Sequence, residues 1–285
     1  MKWERGHQSA NVDDLRGSGG RGPRRPVQIG IVGILLLLGA SAFFGQDLVT
    51  PFLTGGAVDV GAPAGGAGSS PEQDEQVQFV SFVLDDAQAT WTGIFQRGGQ
   101  TYPPARLRIF ANAVETGGCG PADAGVGPFY CPADRNVYID LTFFQELRTR
   151  FNAEGDFAQA YVVAHEIGHH VQNVLGVEQR VRRGRAQNPA AENDISVRME
   201  LQADCFAGVW AHSTNQRRLL EAGDVEEAMR AAAAVGDDTL QRQSGRRVRP
   251  ESFTHGSSEQ RMRWFRQGMS TGDMNQCDTF GVATP

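Results

Sequence analysis

Three of the chain's six histidines, His165, His169 and His170, fall within six positions of the stretch AYVVAHEIGHHVQNVLG (160–176). The rest of that stretch reads as a buried helix, where an imidazole or a carboxylate is costly unless it finds a partner. His165 and His169 are four residues apart, so on a helix both rings leave one face and can grip the same ion. Glu166 sits between them, close enough to reach a water on that ion without ligating it. This is H-E-x-x-H, in which two histidines hold zinc and the glutamate serves as general base. His170 points about 100° away from His169 and reads as packing or support.

A catalytic zinc needs a third protein ligand and an open position for water. No histidine follows within short reach, which excludes the longer His-x-x-Gly-x-x-His extension. In RMELQADCFAGVW (198–210), Glu200 and Asp204 are again four apart on one helical face. Glu200 is the preferred third ligand, and Asp204, one turn on, can accept a hydrogen bond from a ligand imidazole and fix its orientation. Glu192 and Asp194 remain alternatives, and Glu178 follows the histidine helix too closely. In SFTHGSSEQRMRWF (252–265), His255 precedes a helix start and Arg261 follows a turn and a half later. Either side chain beside the metal could stabilise the oxyanion of a tetrahedral intermediate.

The elements that must position these groups are legible from periodicity. Val80, Leu84, Ala87, Trp91 and Ile94 recur at helical steps from about residue 76. RLRIFANAV and NVYIDLTFF read as strands, with a Gly/Pro-punctuated loop between them. From Asp156 onward the pattern is helical: Asp156 with Gln159 caps the histidine helix and Gly176 stops it. A second helix covers 194–212, a third starts at Asp224 with Glu227 as a capping box, and a fourth starts at Ser257 with Gln260. A helix and a small sheet followed by a run of helices predict an α+β domain. NVYIDL is the strand expected at the edge that an extended substrate would join.

The 285 residues exceed one typical domain, and a net charge of -6 gives no case for nucleic-acid binding. The arginine runs at 180–185 and 242–249 lack interleaved aromatic rings and read as solvated charge. Residues 27–45 are almost wholly apolar and just long enough to span a bilayer. The preceding tail, 1–26, carries six Lys/Arg against three Asp/Glu, and no further Lys or Arg appears until Arg97. This bias predicts a single transmembrane anchor with a cytoplasmic N-terminus and an extracytoplasmic remainder at the cell membrane. A cleaved leader ending at the small residues 40–42 is the rival reading, and it exports the same remainder. Residues 46–75 read as a Gly/Ala/Pro-rich tether and 76–285 as the catalytic domain. Cys119, Cys131, Cys205 and Cys277 all lie on the exported side, and three pairings are open to them. The Gly/Pro-rich excursion GCGPADAGVGPFYC favours Cys119 with Cys131, leaving Cys205 with Cys277.

These motifs carry a resemblance. KWERG, NVDDLRG, GPFYCPADRNVYIDLTFF, GDFAQAYVVAHEIGHHVQ, ELQADCFAGVW and THGSSEQRMRWF together resemble a bacterial neutral zinc metallopeptidase family, over nearly the whole chain apart from the tether. Weaker kinship runs to the gluzincin clan, including membrane peptidases of the prenyl-protein and heat-shock protease type. The resemblance implies a zincin-like domain with one catalytic Zn2+ on His165, His169 and Glu200. It implies base work by Glu166, support from Asp204, and oxyanion help from His255 and Arg261. One span departs from the multi-span relatives, so their substrates do not carry over. The expected activity is hydrolysis of peptide bonds in a protein or peptide substrate. A non-peptidase zinc hydrolase or a membrane-tethered zinc-binding scaffold are the competing readings.

Overall fold

The computed structural model describes residues 1–17 and 70–285. The expected span, 27–45, and all but the end of the tether lie outside the described residues. No described helix is long and apolar enough to cross a membrane. Residues 1–16 belong to the same compact unit as residues 70–285.

Helix α1, Pro71–Arg97, begins five residues earlier than the apolar periodicity implied. Ser70 caps it by accepting from the Gln73 amide, Gln73 returns the bond in a capping box, and Pro71 fits the first turn, where no intrahelical N–H is needed. Its core face is Phe79, Val80, Val83, Leu84, Ala87, Trp91 and Phe95. Ile94, expected there, is only partly buried.

The main sheet has the order β1-β2-β6-β5, built from Val12–Asp14, Arg106–Phe110, Asn136–Asp140 and Phe129–Cys131. β1, β2 and β6 run parallel and β5 runs antiparallel to β6. Ala113–Glu115 (β3) and Pro121–Asp123 (β4) form a separate two-stranded ribbon. All five residues of β6 are buried, as a central strand requires. The expectation that NVYIDL forms the sheet edge is therefore corrected. The edges are β1, contributed by the N-terminal segment, and the three-residue β5.

The remaining helices are α2 (Thr142–Thr149), α3 (Asp156–Val174), α4 (Val177–Gln187), α5 (Glu192–Gln216), α6 (Asp224–Ala234), α7 (Asp237–Gln243) and α8 (Ser258–Thr271). The α+β class is as expected. α3 lies at the centre, packed on α1, α5 and α6, and α8 packs along α5. The capping box at Ser257 and Gln260 forms as the sequence indicated. The one expected at Asp156 does not: Gly155, with φ 115°, occupies the cap, and the Phe157 amide donates to the Glu227 carboxylate at 3.1 Å. Glu227 thus caps a different helix from the one it was expected to serve, and Asp224 makes no cap hydrogen bond in α6. Gly168 lets α3 approach α5 closely, because a Cβ there would lie 2.8 Å from the carbonyl oxygen of Ala203. Disulfides join Cys119 to Cys131 and Cys205 to Cys277, the expected pairing. The second ties α5 to the C-terminal segment.

Candidate active site

The 19-residue helix α3 carries His165, Glu166 and His169, with the two imidazole centroids 4.8 Å apart. Helix α5 crosses it at Gly168 and brings Glu200 opposite. His165 Nε2 lies 3.2 Å from one Glu200 oxygen and His169 Nε2 lies 3.4 Å from the other. One ligand atom from each of the three residues falls within 4.8 Å of the others. Neighbouring ligand atoms of a tetrahedral zinc, bound at about 2.0–2.1 Å, stand roughly 3.3 Å apart. The donor set and its spacing fit zinc.

Each imidazole is held from behind. His165 Nδ1 lies 2.8 Å from Asp204 Oδ1. An ionised carboxylate only accepts, so Nδ1 carries the proton and Nε2 keeps its lone pair free for a metal. His169 Nδ1 lies 2.8 Å from Gln172 Oε1. The Gln172 amide is oriented by its other end, where Nε2 donates to the Met199 carbonyl at 2.8 Å and to Gln202 Oε1 at 3.1 Å. Gln202 in turn donates to the carbonyl of Cys277 at 2.9 Å. Gln172 was missed in the sequence, although its position three residues after His169 places it on the same face.

Asp204 is wholly buried and sits among donors. Arg261 Nε donates to Oδ2 at 2.8 Å, Nη2 donates to Oδ1 at 2.9 Å, and the Tyr161 hydroxyl also donates to Oδ1. Burial alone would raise the Asp204 pKa, but Arg261 and His165 hold it below the usual carboxylate range. Arg261 is itself buried, and its guanidinium is engaged by Asp204 and Tyr161. Arg261 also lines the cleft beside His165, where the oxyanion role was expected of it. Its strongest donors fix the carboxylate that fixes His165. Tyr161, one turn before His165 on α3, was not singled out in the sequence.

His255 does face the cleft, with its side chain half exposed. Its loop is shaped by Asp237, whose Oδ2 accepts from the backbone amides of Thr254, His255 and Gly256 at 2.7, 2.6 and 3.0 Å. Asp237 Oδ1 lies 3.3 Å from His255 Nδ1, and this bond raises the imidazole pKa against the opposing effect of burial. Nothing local in the sequence marked Asp237. His170 takes no part in the metal set. Its Nε2 donates to the Pro103 carbonyl at 2.7 Å and its Nδ1 accepts from the Tyr130 hydroxyl at 3.0 Å, which ties β5 to α3. Of the alternative ligands, Glu192 and Asp194 are exposed and Asp194 pairs with Arg198, while Glu178 lines the cleft away from the three-residue cluster.

Glu166 is buried on the cleft wall, and burial raises its carboxyl pKa above the ordinary value. The cleft holds about 760 Å³. Phe129, Phe143, Val162, Val181, Met199 and Leu240 supply much of its apolar lining. His165, His169 and Glu200 are all part of its lining.

A family model described as "Putative neutral zinc metallopeptidase" matches residues 1–280. The chain belongs to this family. Its relatives include YpfJ of Escherichia coli K12, 46% identical over 288 residues and 99% of each chain. Rv2575 of Mycobacterium tuberculosis H37Rv is 48% identical over 210 residues, 70% of this chain and 69% of its own. Neither name states an activity. No solved structure matches the chain significantly. Zinc is the metal that the metallopeptidase family implies, and it is the metal the donor set fits.

Proposed function

We propose that this chain is a zinc-dependent endopeptidase holding one ion on His165, His169 and Glu200. The observation that carries the reading is the meeting of two Nε2 atoms with one carboxylate, each imidazole oriented through its other nitrogen. Bound zinc supplies Lewis-acid chemistry, acidifying a water and polarising a carbonyl. Glu166, next to His165 and raised in pKa by burial, takes the proton of the attacking water and passes it to the leaving amine. His255, whose pKa the bond to Asp237 raises, donates to the oxygen that becomes negative as the carbonyl turns tetrahedral. Asp204, Arg261 and Tyr161 hold His165 in place, and Gln172 holds His169.

The substrate strand adds to β5. That strand is a sheet edge, and Phe129 and Tyr130 line the cleft. Main-chain pairing there would give affinity with little dependence on side chains, and the apolar walls would select for bulky residues near the cut. The two disulfides support a working place in an oxidising compartment. The apolar run 27–45 supports attachment to a membrane.

The test is digestion of a diverse peptide library by the zinc-loaded full chain in detergent, beside its Glu166→Gln variant, read by mass spectrometry. Internal cuts made only by the unmodified chain are expected. Zinc-loaded protein that leaves peptides intact yet hydrolyses small acyl or amide esters would replace the peptidase reading with another zinc hydrolase.

A further inference from the structure

The first sixteen residues are wired into the same body as the metal site. β1 lies parallel to β2 in the register Val12 with Leu107, Asp13 with Arg108 and Asp14 with Ile109. The Leu107 amide donates to the Asn11 carbonyl and the Leu15 amide to the Ile109 carbonyl, both at 2.8 Å. Arg106 grips the Asp13 carboxylate with Nε at 3.1 Å and Nη2 at 2.6 Å. Farther up the segment, Ser9 and His7 bind the two oxygens of Asp85 at 2.7 and 2.9 Å, and Trp3 packs edge-on against Phe79 with centroids 5.4 Å apart. Arg16 closes the segment, with its Nη2 2.7 Å from Asp14 and 3.3 Å from Asp74 in the first turn of α1. The end of the segment thus lies beside the first turn of α1, where Arg16 also reaches Gln73 Oε1 at 3.5 Å.

We infer that residues 1–16 and 70–285 occupy the same compartment, so that the apolar run between them is not a single-pass anchor. Paired strands stand about 4.8 Å apart, whereas a hydrocarbon core is about 30 Å thick. A ladder cannot form through it. With both flanks on one side, the intervening chain crosses a bilayer an even number of times. A second crossing would need another run of about 20 apolar residues, and the sequence from 46 to 69, rich in Gly, Ala and Pro, has none.

The charge bias that suggested a cytoplasmic tail has a different explanation for the described residues. Arg5 pairs with Glu75 at 2.9 Å, and Arg16 pairs with Asp14 and Asp74. Part of the tail's positive charge is matched by carboxylates of the body and of the tail itself, rather than left to set orientation.

The experiment places single cysteines at two exposed positions of the full chain, Gln8→Cys and Glu259→Cys. Intact cells and cells with opened membranes are treated with a membrane-impermeant maleimide. The inference expects both sites to label under the same condition; labelling under opposite conditions overturns it. Docking of the segment is read separately on purified protein. Asp13→Arg should lower the melting temperature by a few degrees, and Asp13→Arg with Arg106→Asp should recover most of the loss. An unchanged melting temperature in Asp13→Arg, or no recovery in the pair, also overturns the inference. Neither readout depends on peptidase activity.

Discussion

His170 offers the most direct test of how the cleft is held together, because its partners translate into a pH-dependent stability. The ring is fully buried between the Tyr130 hydroxyl and the Pro103 carbonyl, and burial lowers its pKa to about 4. In the unfolded chain it returns to about 6.5. Between these values the unfolded state binds the extra proton, so stability rises with pH across the window and falls as the medium is acidified. The gap corresponds to about 3 kcal/mol in full, of which about 2.5 kcal/mol is lost by about pH 4.5. His170→Gln keeps a donor for Pro103 but does not titrate. Its neutral-pH stability should drop by about 1–2 kcal/mol through the weakened Tyr130 bond. Burial also raises the carboxyl pKa of Glu166 and of Glu227, so the informative quantity is a difference. Urea unfolding of both proteins, followed at about pH 7.5 and about pH 4.5 with zinc in excess, should show the unmodified chain losing about 2.5 kcal/mol more than the variant. If the two lose stability in parallel, His170 is not the buried neutral clamp described, and the tie between β5 and the metal helix must lie elsewhere.

Three substitutions probe the support of the ligands. Asp204→Asn should leave Arg261 buried without its counter-charge, costing about 3–5 kcal/mol by denaturant unfolding. The same change should weaken zinc binding about 10–100-fold against a chromophoric chelator, and unaltered affinity would contradict the orienting role. Gln172→Ala should weaken zinc about 10–100-fold in that competition with less effect on folding, since a neutral amide network is interrupted rather than a buried ion pair. Gly168→Ala should cost about 1–3 kcal/mol by overpacking against the Ala203 backbone and should also weaken zinc, because α5 would be displaced from α3 together with Glu200.

The metal helix was legible because H-E-x-x-H is a local pattern: the four-residue spacing of His165 and His169 fixes a shared face whatever surrounds it. The Ser257 capping box was legible for the same reason. Sequence reasoning failed where the partner is remote. The donor at the start of α3 is satisfied by Glu227, 70 residues away, so a nearby Asp156 looked sufficient and was not needed. Arg261 was placed at the site by its spacing from His255, but whether it serves an oxyanion or Asp204 depends on how α8 lies along α5. The edge strand was misplaced because β1 comes from residues separated from the sheet by the apolar run, and β5 is too short to show periodicity. Asp237 is an ordinary acid in sequence, and it becomes part of the site only by gathering the three amides that aim His255.

The account stands most directly on Glu166→Gln. Zinc content and peptide turnover should be measured together on the purified variant and on the unmodified chain. The account predicts one zinc per chain in both proteins and turnover reduced by at least about 100-fold in the variant. Loss of the metal from the variant, or cleavage that persists at the unmodified rate, would contradict it.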